Sequence, residues 1–261
     1  MNYKVVIVNY MKAGAVEVLL GQLDNQTLLP SSVAIIDNSP ELELSRVCEN
    51  NYRFSIEVKH FPENLGYSKA CNIGAEGDWD YVIFLNPDIE IRDFEFFTRL
   101  ALRADDLSAV GCIGVVQKNP DGSYEPVARK YPSIAAIAGK RIPSLRNFLG
   151  RAVDDYMQSY PVSYEPAASP IVVDWLQSSF LAVPREAWNT MGGFDERFFV
   201  FMADTEYGSR CKKYKVNSYL VRDLQVDADG VRSSSGGLSD ILRKKTVRIH
   251  IRDAVKYYLG L

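Results

Sequence analysis

Three groups of residues carry side chains able to do chemistry. The first is Asn86-Pro87-Asp88, directly after the apolar run Tyr81-Val82-Ile83-Phe84-Leu85. A carboxylate held at a strand end by a proline-stiffened turn offers hard oxygen to a divalent cation. The same three residues also form turns that bind nothing. The second is Phe194-Asp195-Glu196-Arg197-Phe198-Phe199, which follows Gly192-Gly193 and runs into Phe201-Met202-Ala203-Asp204-Thr205-Glu206. Aromatics interleaved with carboxylates suit a pocket wall bearing an acid or base. Asp204 and Glu206 equally suit the first turn of a helix, where the macrodipole favours negative charge, with Arg210 one turn on to pair with either. The third is Asn64-Leu65-Gly66-Tyr67 with Asn72 and Gly74. Gly66 lets backbone come close to a ligand and the amides read polar edges, although a loop entering a helix needs no more than this.

These groups need elements to position them. Residues 5–8, 33–36, 56–61 and 81–85 read as strands; the first, second and fourth are continuous apolar runs, as expected of strands covered on both faces. Residues 13–26, with Val16, Leu19, Leu20 and Leu23 at helical spacing, and residues 68–75 read as helices. Strands alternating with helices predict an α/β fold with a mostly parallel sheet and helices on both faces. In such sheets ligands sit outside the carboxyl ends of the strands. Asn9, Asp37, Asn64 and Asp88 all fall just past strand ends.

Residues 118–170 are rich in Pro, Gly, Ser and Tyr, with weak periodicity, and read as a partly loop-like insertion. Regular structure resumes at residues 172–176. A short helix at 185–191, the Gly192-Gly193 turn and a strand at 216–221 follow. Beyond Gly237, Lys244, Arg248 and Arg252 recur at helical spacing among Val247, Ile251, Val255 and Tyr258. Such a basic amphipathic helix suits an anionic membrane surface, or docking on the body with its basic side in water.

Composition narrows the classes. The 261 residues are 47% hydrophobic and 24% charged, a globular balance, and a net charge of −3 argues against a nucleic-acid binder. No apolar run approaches the roughly 18 residues that span a bilayer. The start MNYKVVIVNY reads as a first strand and not a signal peptide, which predicts a cytoplasmic protein. Cys48, Cys71, Cys112 and Cys211 are scattered, and with only His60 and His250 beside them they lack zinc-site spacing; buried free thiols are expected.

Taken in order and spacing, VVIVNY, AIIDNS, ENLGYSKACNIG, YVIFLNPDIEI, VDWLQSSFLAVPREAW, MGGFDERFFVFMADTEYGSR and DADGVRSSSGG resemble family 2 glycosyltransferases of the GT-A fold, especially the rhamnosyltransferase-like branch. The resemblance spans roughly residues 4–117 and 172–237. It implies a GT-A catalytic domain over residues 1–237 on a central mixed sheet, with 118–170 as a variable acceptor-side insertion and 238–261 as a C-terminal basic helical segment. By the same resemblance Asn9 and Asp37 border the nucleotide base, Asp37 accepting from a pyrimidine N–H. Asn64, Gly66, Asn72 and Asn86 are implied as donor-site positions. Asp88 matches the last acid of the metal-binding motif, Asp204 the catalytic base of inverting members, and Trp175 and Asp195 acceptor positions. Two departures stand out. Ala203 occupies a position that is often acidic, and Asp227 falls where a metal-ligating His often follows the last strand; a carboxylate there is still a hard oxygen ligand.

The expected function is therefore inverting, Mn²⁺- or Mg²⁺-dependent transfer of a sugar from a nucleoside-diphosphate donor to a hydroxyl of a saccharide or lipid-linked saccharide. The branch suggests dTDP-rhamnose as donor and bacterial polysaccharide or cell-envelope assembly as context. Residues 238–261 would add peripheral contact at the inner face of the plasma membrane, and no nucleic acid is expected as partner. A cation at Asp88 would neutralise the departing diphosphate, and Asp204 would deprotonate the attacking alcohol. Glycoside hydrolysis by paired carboxylates leaves the strand-end asparagines unexplained. Ala203 and Asp227 favour an alternative: a catalytically impaired nucleotide-sugar or polysaccharide binder of the same fold. A nucleotidyltransferase would want a glycine-rich basic loop after the first strand, and Asn9-Tyr10-Met11-Lys12 is not one.

Overall fold

The structure, a computed structural model, describes residues 1–42, 44, 51–141, 143–230 and 245–260. The first half runs β1 (Tyr3–Asn9), α1 (Ala13–Asp24), β2 (Ser32–Asp37), β3 (Ser55–His60), α2 (Tyr67–Gly74), β4 (Tyr81–Leu85), β5 (Ile89–Glu90), α3 (Phe96–Asp105) and β6 (Val110–Lys118). Then come β7 (Ala128–Arg129), α4 (Ile134–Arg141), α5 (Pro143–Met157), β8 (Ile171–Val173), β9 (Trp175–Leu176) and β10 (Phe180–Pro184). The chain continues through α6 (Arg185–Met191), α7 (Ala203–Lys213), β11 (Asn217–Ala228) and α8 (Lys245–Leu259).

The main sheet has the order β3-β2-β1-β4-β10-β6-β11-β5, with β8 beside β11. Strands β3, β2, β1 and β4 pair in parallel, as do β6 and β11, while β10 lies antiparallel between β4 and β6. The sheet is mixed and mostly parallel, as the sequence pattern predicts. Alternate residues of its buried strands face opposite layers. Val5 and Ile7 join Leu19, Leu20, Phe96 and Phe97 beneath α1 and α3. Val6 and Phe84 join Trp188, Phe194 and Tyr207 on the α2, α6 and α7 side.

Parallel register carries the ends of β1, β2 and β4 to one edge. Asn9 stands opposite Asp37, and the NPD turn follows Leu85, which pairs with Ile7. The turn is tied to the antiparallel strand, since Asn86 N donates to Ser179 O at 2.9 Å and Ile89 N closes on Asn86 O at 3.2 Å.

Several expectations need correction. Residues 118–170 are partly loop, as expected, but they also contain the β7 strand and the mutually packed helices α4 and α5, which the weak periodicity does not reveal. The strand expected at 216–221 runs on to Ala228, past an irregularity between Val221 and Gln225. The 172–176 run is two short strands broken at Asp174, so that β9 pairs with β7 in a ribbon of its own. Cys71, Cys112 and Cys211 are buried free thiols, while Cys48 lies outside the described residues. Among the described residues, no helix is long and apolar enough to cross a membrane.

Candidate active site

A cleft of about 240 Å³ opens at the carboxyl edge of the sheet. Asn86 and Asp88 line one part, Asp204 and Thr205 another, and Trp175, Tyr156, Arg129 and Lys140 a third. The NPD turn and Asp204, 116 positions apart in sequence, thus face one space.

Asp204 stands in the first turn of α7, after Met202 at φ +69°. Its Oδ1 accepts the Thr205 N–H at 2.8 Å, and its Oδ2 the Ser178 N–H at 3.4 Å. Burial pushes its pKa above the ordinary carboxylate value, while the Thr205 N–H, Arg129 and the Ser178 N–H pull it part of the way back. The result is an oriented carboxylate more basic than one in water. Glu206 is turned away from this role. It pairs with Arg210 at 2.8 Å, and Arg210 also donates to Gly193 O at 2.8 Å.

Asp88 does not stand alone. Lys12 Nζ lies 3.0 Å from Asp88 Oδ2 and 3.3 Å from Asp229 Oδ2. The loop holding Lys12 is fixed, since Lys12 N donates to Asn9 Oδ1 at 3.1 Å and Met11 N to Ser39 Oγ at 2.8 Å. Burial alone would lower the Lys12 pKa, but its hydrogen bonds and the charges of Asp88 and Asp229 raise it, so the ammonium stays charged. Two carboxylates converging on one cation are a site for positive charge, with the ammonium as stand-in. The pair suits Mg²⁺ or Mn²⁺, which take one or two carboxylates and complete their shell with phosphate oxygens and water. Among the described residues no group of three or more His, Cys, Asp or Glu is placed to hold a metal, so protein alone does not close such a shell.

This geometry corrects one assignment. Asp227, expected as a metal ligand, pairs with Arg92 at 3.2 Å and stands opposite Glu90 in the β11–β5 ladder, outside the cleft lining. Asp229, just past the strand end, shares the cation with Asp88. Replacing Lys12 by Met should strengthen Mn²⁺ binding to the nucleotide-free protein by roughly 2- to 5-fold, the scale of a partly exposed ion pair. Electron paramagnetic resonance of free Mn²⁺ measures this directly; an unchanged affinity would mean that the ammonium and the metal do not compete.

Beside this cluster, Asn9 Nδ2 donates to Asp37 Oδ1 at 2.9 Å and lies 3.3 Å from Ser39 Oγ. Among the described residues, Asp37 Oδ2 is buried with no hydrogen-bond partner. An orphaned acceptor at a strand end is the group a nucleobase N–H would satisfy, since a buried polar atom left alone is costly.

The remaining expected donor and acceptor residues behave differently. Asn64 Oδ1 accepts the Gly66 N–H at 2.8 Å and shapes the turn. Gly66, at φ +85°, has no room for a Cβ because Phe199 O would lie 2.6 Å from it, so the close approach it permits is to Phe199 and not to a ligand. Asn72 Oδ1 accepts the Phe194 N–H at 2.9 Å, and its Nδ2 donates to Phe194 O at 2.9 Å, so this amide reads a neighbouring loop and lies outside the cleft. Asp195 is also outside, clamped on Arg197 at 2.6 Å. The aromatic run is core more than pocket wall. Phe194 sits 5.1 Å from Phe84 and 5.4 Å from Tyr207, and Phe198 is buried; from this run only Val200, Phe201 and Met202 reach the cleft. Trp175 does line it, its indole N–H bonded to Lys130 O at 2.9 Å.

Helix α8 closes the side of the site. Its fully buried Asp253 accepts the N–H groups of Phe199, Val200 and Phe201 through one oxygen, each at 3.1 Å. His250 packs 4.6 Å from Phe201, and Tyr258 Oη donates to Pro132 O at 2.7 Å. The helix is therefore docked on the body, through a face of His250, Asp253 and Ala254 and not through Val255, which is half exposed. Arg248 and Arg252 are exposed; Lys244, the Val247 side chain and residues 231–243, with most of the DADGVRSSSGG stretch, lie outside the described residues. Lys12, Asp229, Arg129 and Asp253 were all missed in the sequence.

Comparison with known proteins bears on the family and the fold. The model of "Glycosyl transferase family 2" matches residues 4–160. Over 235 residues, 85% of this chain and 74% of the relative, the sequence is 32% identical to the N-acetylglucosaminyl-diphospho-decaprenol L-rhamnosyltransferase of Mycobacterium tuberculosis. In fold it resembles S. aureus TarS 1–349 in complex with UDP-GlcNAc, with TM-score 0.59 and 15% identity over 98% of this chain and 69% of that one. It likewise resembles the mannosyltransferase PcManGT of Pyrobaculum calidifontis in complex with GDP-Man and Mn²⁺, with TM-score 0.59 and 14% identity over 89% and 58% of the two chains. The chain spans about 60% of a further TarS 1–349 structure.

Proposed function

The chain belongs to glycosyl transferase family 2, and from that premise we propose that it moves rhamnose from dTDP-rhamnose, with inversion, onto a hydroxyl of a saccharide carried on a lipid. It is a glycosyltransferase of the GT-A fold. The rhamnosyl group and the lipid-linked acceptor follow the relative's printed name, the dTDP donor follows the resemblance of the sequence to the rhamnosyltransferase-like branch, and the context proposed is bacterial polysaccharide or cell-envelope assembly. The reaction is proposed for the cytoplasm, at the inner face of the membrane where a lipid carrier would present its sugar. The observation that carries the reading is that Asp88 and Asp204 line one cleft.

Along the strand-end edge and the cleft each residue has a task. Asp37 Oδ2 is free to take a base N–H. Asn86 and Asp88, set by the turn against Ser179, border the diphosphate. Asp88 and Asp229 would hold a divalent cation, which when bound would supply Lewis-acid neutralisation of the departing diphosphate. Asp204, oriented by the Thr205 and Ser178 N–H groups, takes the proton from the acceptor hydroxyl as it attacks. Attack from the face opposite the leaving diphosphate inverts the anomeric carbon. Tyr156, Trp175 and Phe201 keep water from competing with the acceptor.

Rate should follow the ionised fraction of Asp204. Its pKa is raised by burial, so kcat/KM should fall with acidity along a limb centred above the ordinary Asp value of about 3.9. A pH profile measured with saturating metal reports it, and a limb at the ordinary value would remove Asp204 from the base role.

A thermal-shift screen of dTDP, UDP and GDP and their sugars, with Mn²⁺ or Mg²⁺, tests the donor: dTDP-rhamnose with metal should raise the melting temperature most, by mass action on the native state. No shift with any nucleotide sugar refutes the reading. The catalytically impaired binder has one observation in its favour, since Lys12 already fills the gap between Asp88 and Asp229. It predicts the same shifts with neither donor hydrolysis nor transfer.

A further inference from the structure

Arg129 is placed oddly for a structural residue. The β7–β9 ribbon sets it opposite Trp175, and its guanidinium lies 5.3 Å from the Trp175 ring centre and 5.9 Å from that of Tyr156. Two rings therefore flank it. Its edge reaches Gln177 Oε1 through Nη2 at 3.3 Å and also bonds the Tyr156 side chain, and among the described residues its Nε is buried without a partner. Other arginines near the site are paired: Arg210 holds Glu206, and Arg197 holds Asp195. Among the described residues Arg129 holds no carboxylate. Lys140, on α4, brings a second cation to the same wall, 5.9 Å from the Tyr156 ring centre.

A wall of two cations gains more from an anion than from a neutral hydroxyl, because the bonds to the anion are charge-assisted on both sides. A phosphate is well served. A planar guanidinium flanked by rings presents parallel N–H groups to two phosphate oxygens with little further entropy loss, and the bonds are charge-assisted. The wall belongs to β7, β9, α4 and α5, not to the strand-end cluster of Lys12, Asp88 and Asp229, so it does not duplicate the donor's diphosphate site. Arg129 is also near enough to help hold Asp204 ionised, which puts the anion close to the reacting hydroxyl. Glu125 lines the same cleft.

We infer that Arg129, assisted by Lys140, forms an anion subsite that binds the phosphate linking the acceptor sugar to its carrier. The enzyme thereby selects sugar diphosphate esters over neutral glycosides. This rests on the proposed transferase reading and goes beyond it by naming which acceptor chemistry is read, and by what.

The test is equilibrium binding to the full chain, with dTDP and Mg²⁺ present, followed by tryptophan fluorescence or calorimetry. Two probes share one short alkyl tail: an N-acetylglucosaminyl diphosphate ester and the uncharged N-acetylglucosaminide. The wild-type protein should bind the charged probe roughly 30-fold more tightly, a charge-assisted pair's worth of selectivity. Arg129→Gln should reduce the ratio to within about 3-fold, and Arg129→Lys should retain part of it, since it keeps charge without the fork. Lys140→Gln, on the helix surface, should lower the ratio several-fold even if the Arg129 variants fold poorly. Raising salt should weaken the charged probe in the wild type and much less in Arg129→Gln, which a merely structural arginine would not produce. Equal binding of both probes by the wild type, or a ratio that survives both Gln variants, overturns the subsite. Failure of the underlying reading is separate: there dTDP itself would give no thermal shift, whatever the acceptor probes do.

Discussion

Asp204→Asn should reduce transfer by about 10²- to 10⁴-fold, the usual contribution of a positioned general base, with donor affinity nearly unchanged. The amide is isosteric and can still accept the Thr205 N–H that orients the wild-type carboxylate at 2.8 Å. What it lacks is the ability to take a proton. Stability should move the other way. Burial raises the folded-state pKa of Asp204, so its favourable contribution is complete below the unfolded pKa and is lost as pH rises through the folded one. At neutral pH the charge is held at a cost, and the variant's melting temperature should equal or exceed that of the wild type. Steady-state kinetics and calorimetric donor titration on one preparation decide the matter. Unimpaired turnover would dismiss Asp204 as base, while equal loss of turnover and donor binding would recast it as a donor ligand.

Asp253→Ala should damage both stability and rate, though Asp253 lines no part of the cleft. One of its oxygens accepts three successive backbone N–H groups, from Phe199, Val200 and Phe201, and the residue is fully buried. Removing it strands donors that water reaches poorly. A loss of about 3 kcal/mol is expected from unmet donors to a charged acceptor, equivalent to a fall in melting temperature of roughly 6–10 °C for a chain of this size. The same loop leads through Met202 into Asp204, and its Phe199 carbonyl accepts the Tyr67 N–H at 2.6 Å. A loosened loop misplaces the base, so kcat should drop roughly 10-fold or more even well below the new melting temperature. Asp253→Asn keeps the accepting oxygen and should recover most of both. Heat denaturation and kcat for the two variants, measured together, provide the check; an alanine variant with wild-type kcat would show that α8 does not position the loop.

Much of the donor side was legible because its signals are local. The runs at 5–8, 33–36 and 81–85 are apolar throughout, and only a strand buried on both faces makes sense of them. Their ends mark the edge where Asn9, Asp37, Asn86 and Asp88 gather. The acceptor side was less legible. Residues 134–157 hold Gly139, Pro143 and Gly150, which dilute the helical period, yet Pro143 opens α5, where a missing N–H costs nothing. Asp229 was missed in favour of Asp227 because β11 bulges between Val221 and Gln225 and ends at Ala228, so counting along the strand does not reveal which carboxylate turns toward the cleft. Asp253 carried a readable sign. It falls between His250 and Ala254 on one helical face, an acid on the side that docks, but a basic helix with a single carboxylate looks solvated in one dimension. Asn72 and Gly66 show the opposite error: their types suit ligand contact, and the fold spends them on the backbone of Phe194 and Phe199.

Between β6 and β10 the chain leaves the main layer for β7 and the α4–α5 hairpin, touches it again at β8 beside β11, and pairs β9 with β7 before β10. The hairpin supplies Ile137, Lys140 and Tyr156 to the cleft, while Lys12, Asp88 and Asp229 come from other segments. On the proposed reading, acceptor preference is written on a cassette that selection, or an engineer building chimaeras, can exchange while the sugar-nucleotide half stays untouched.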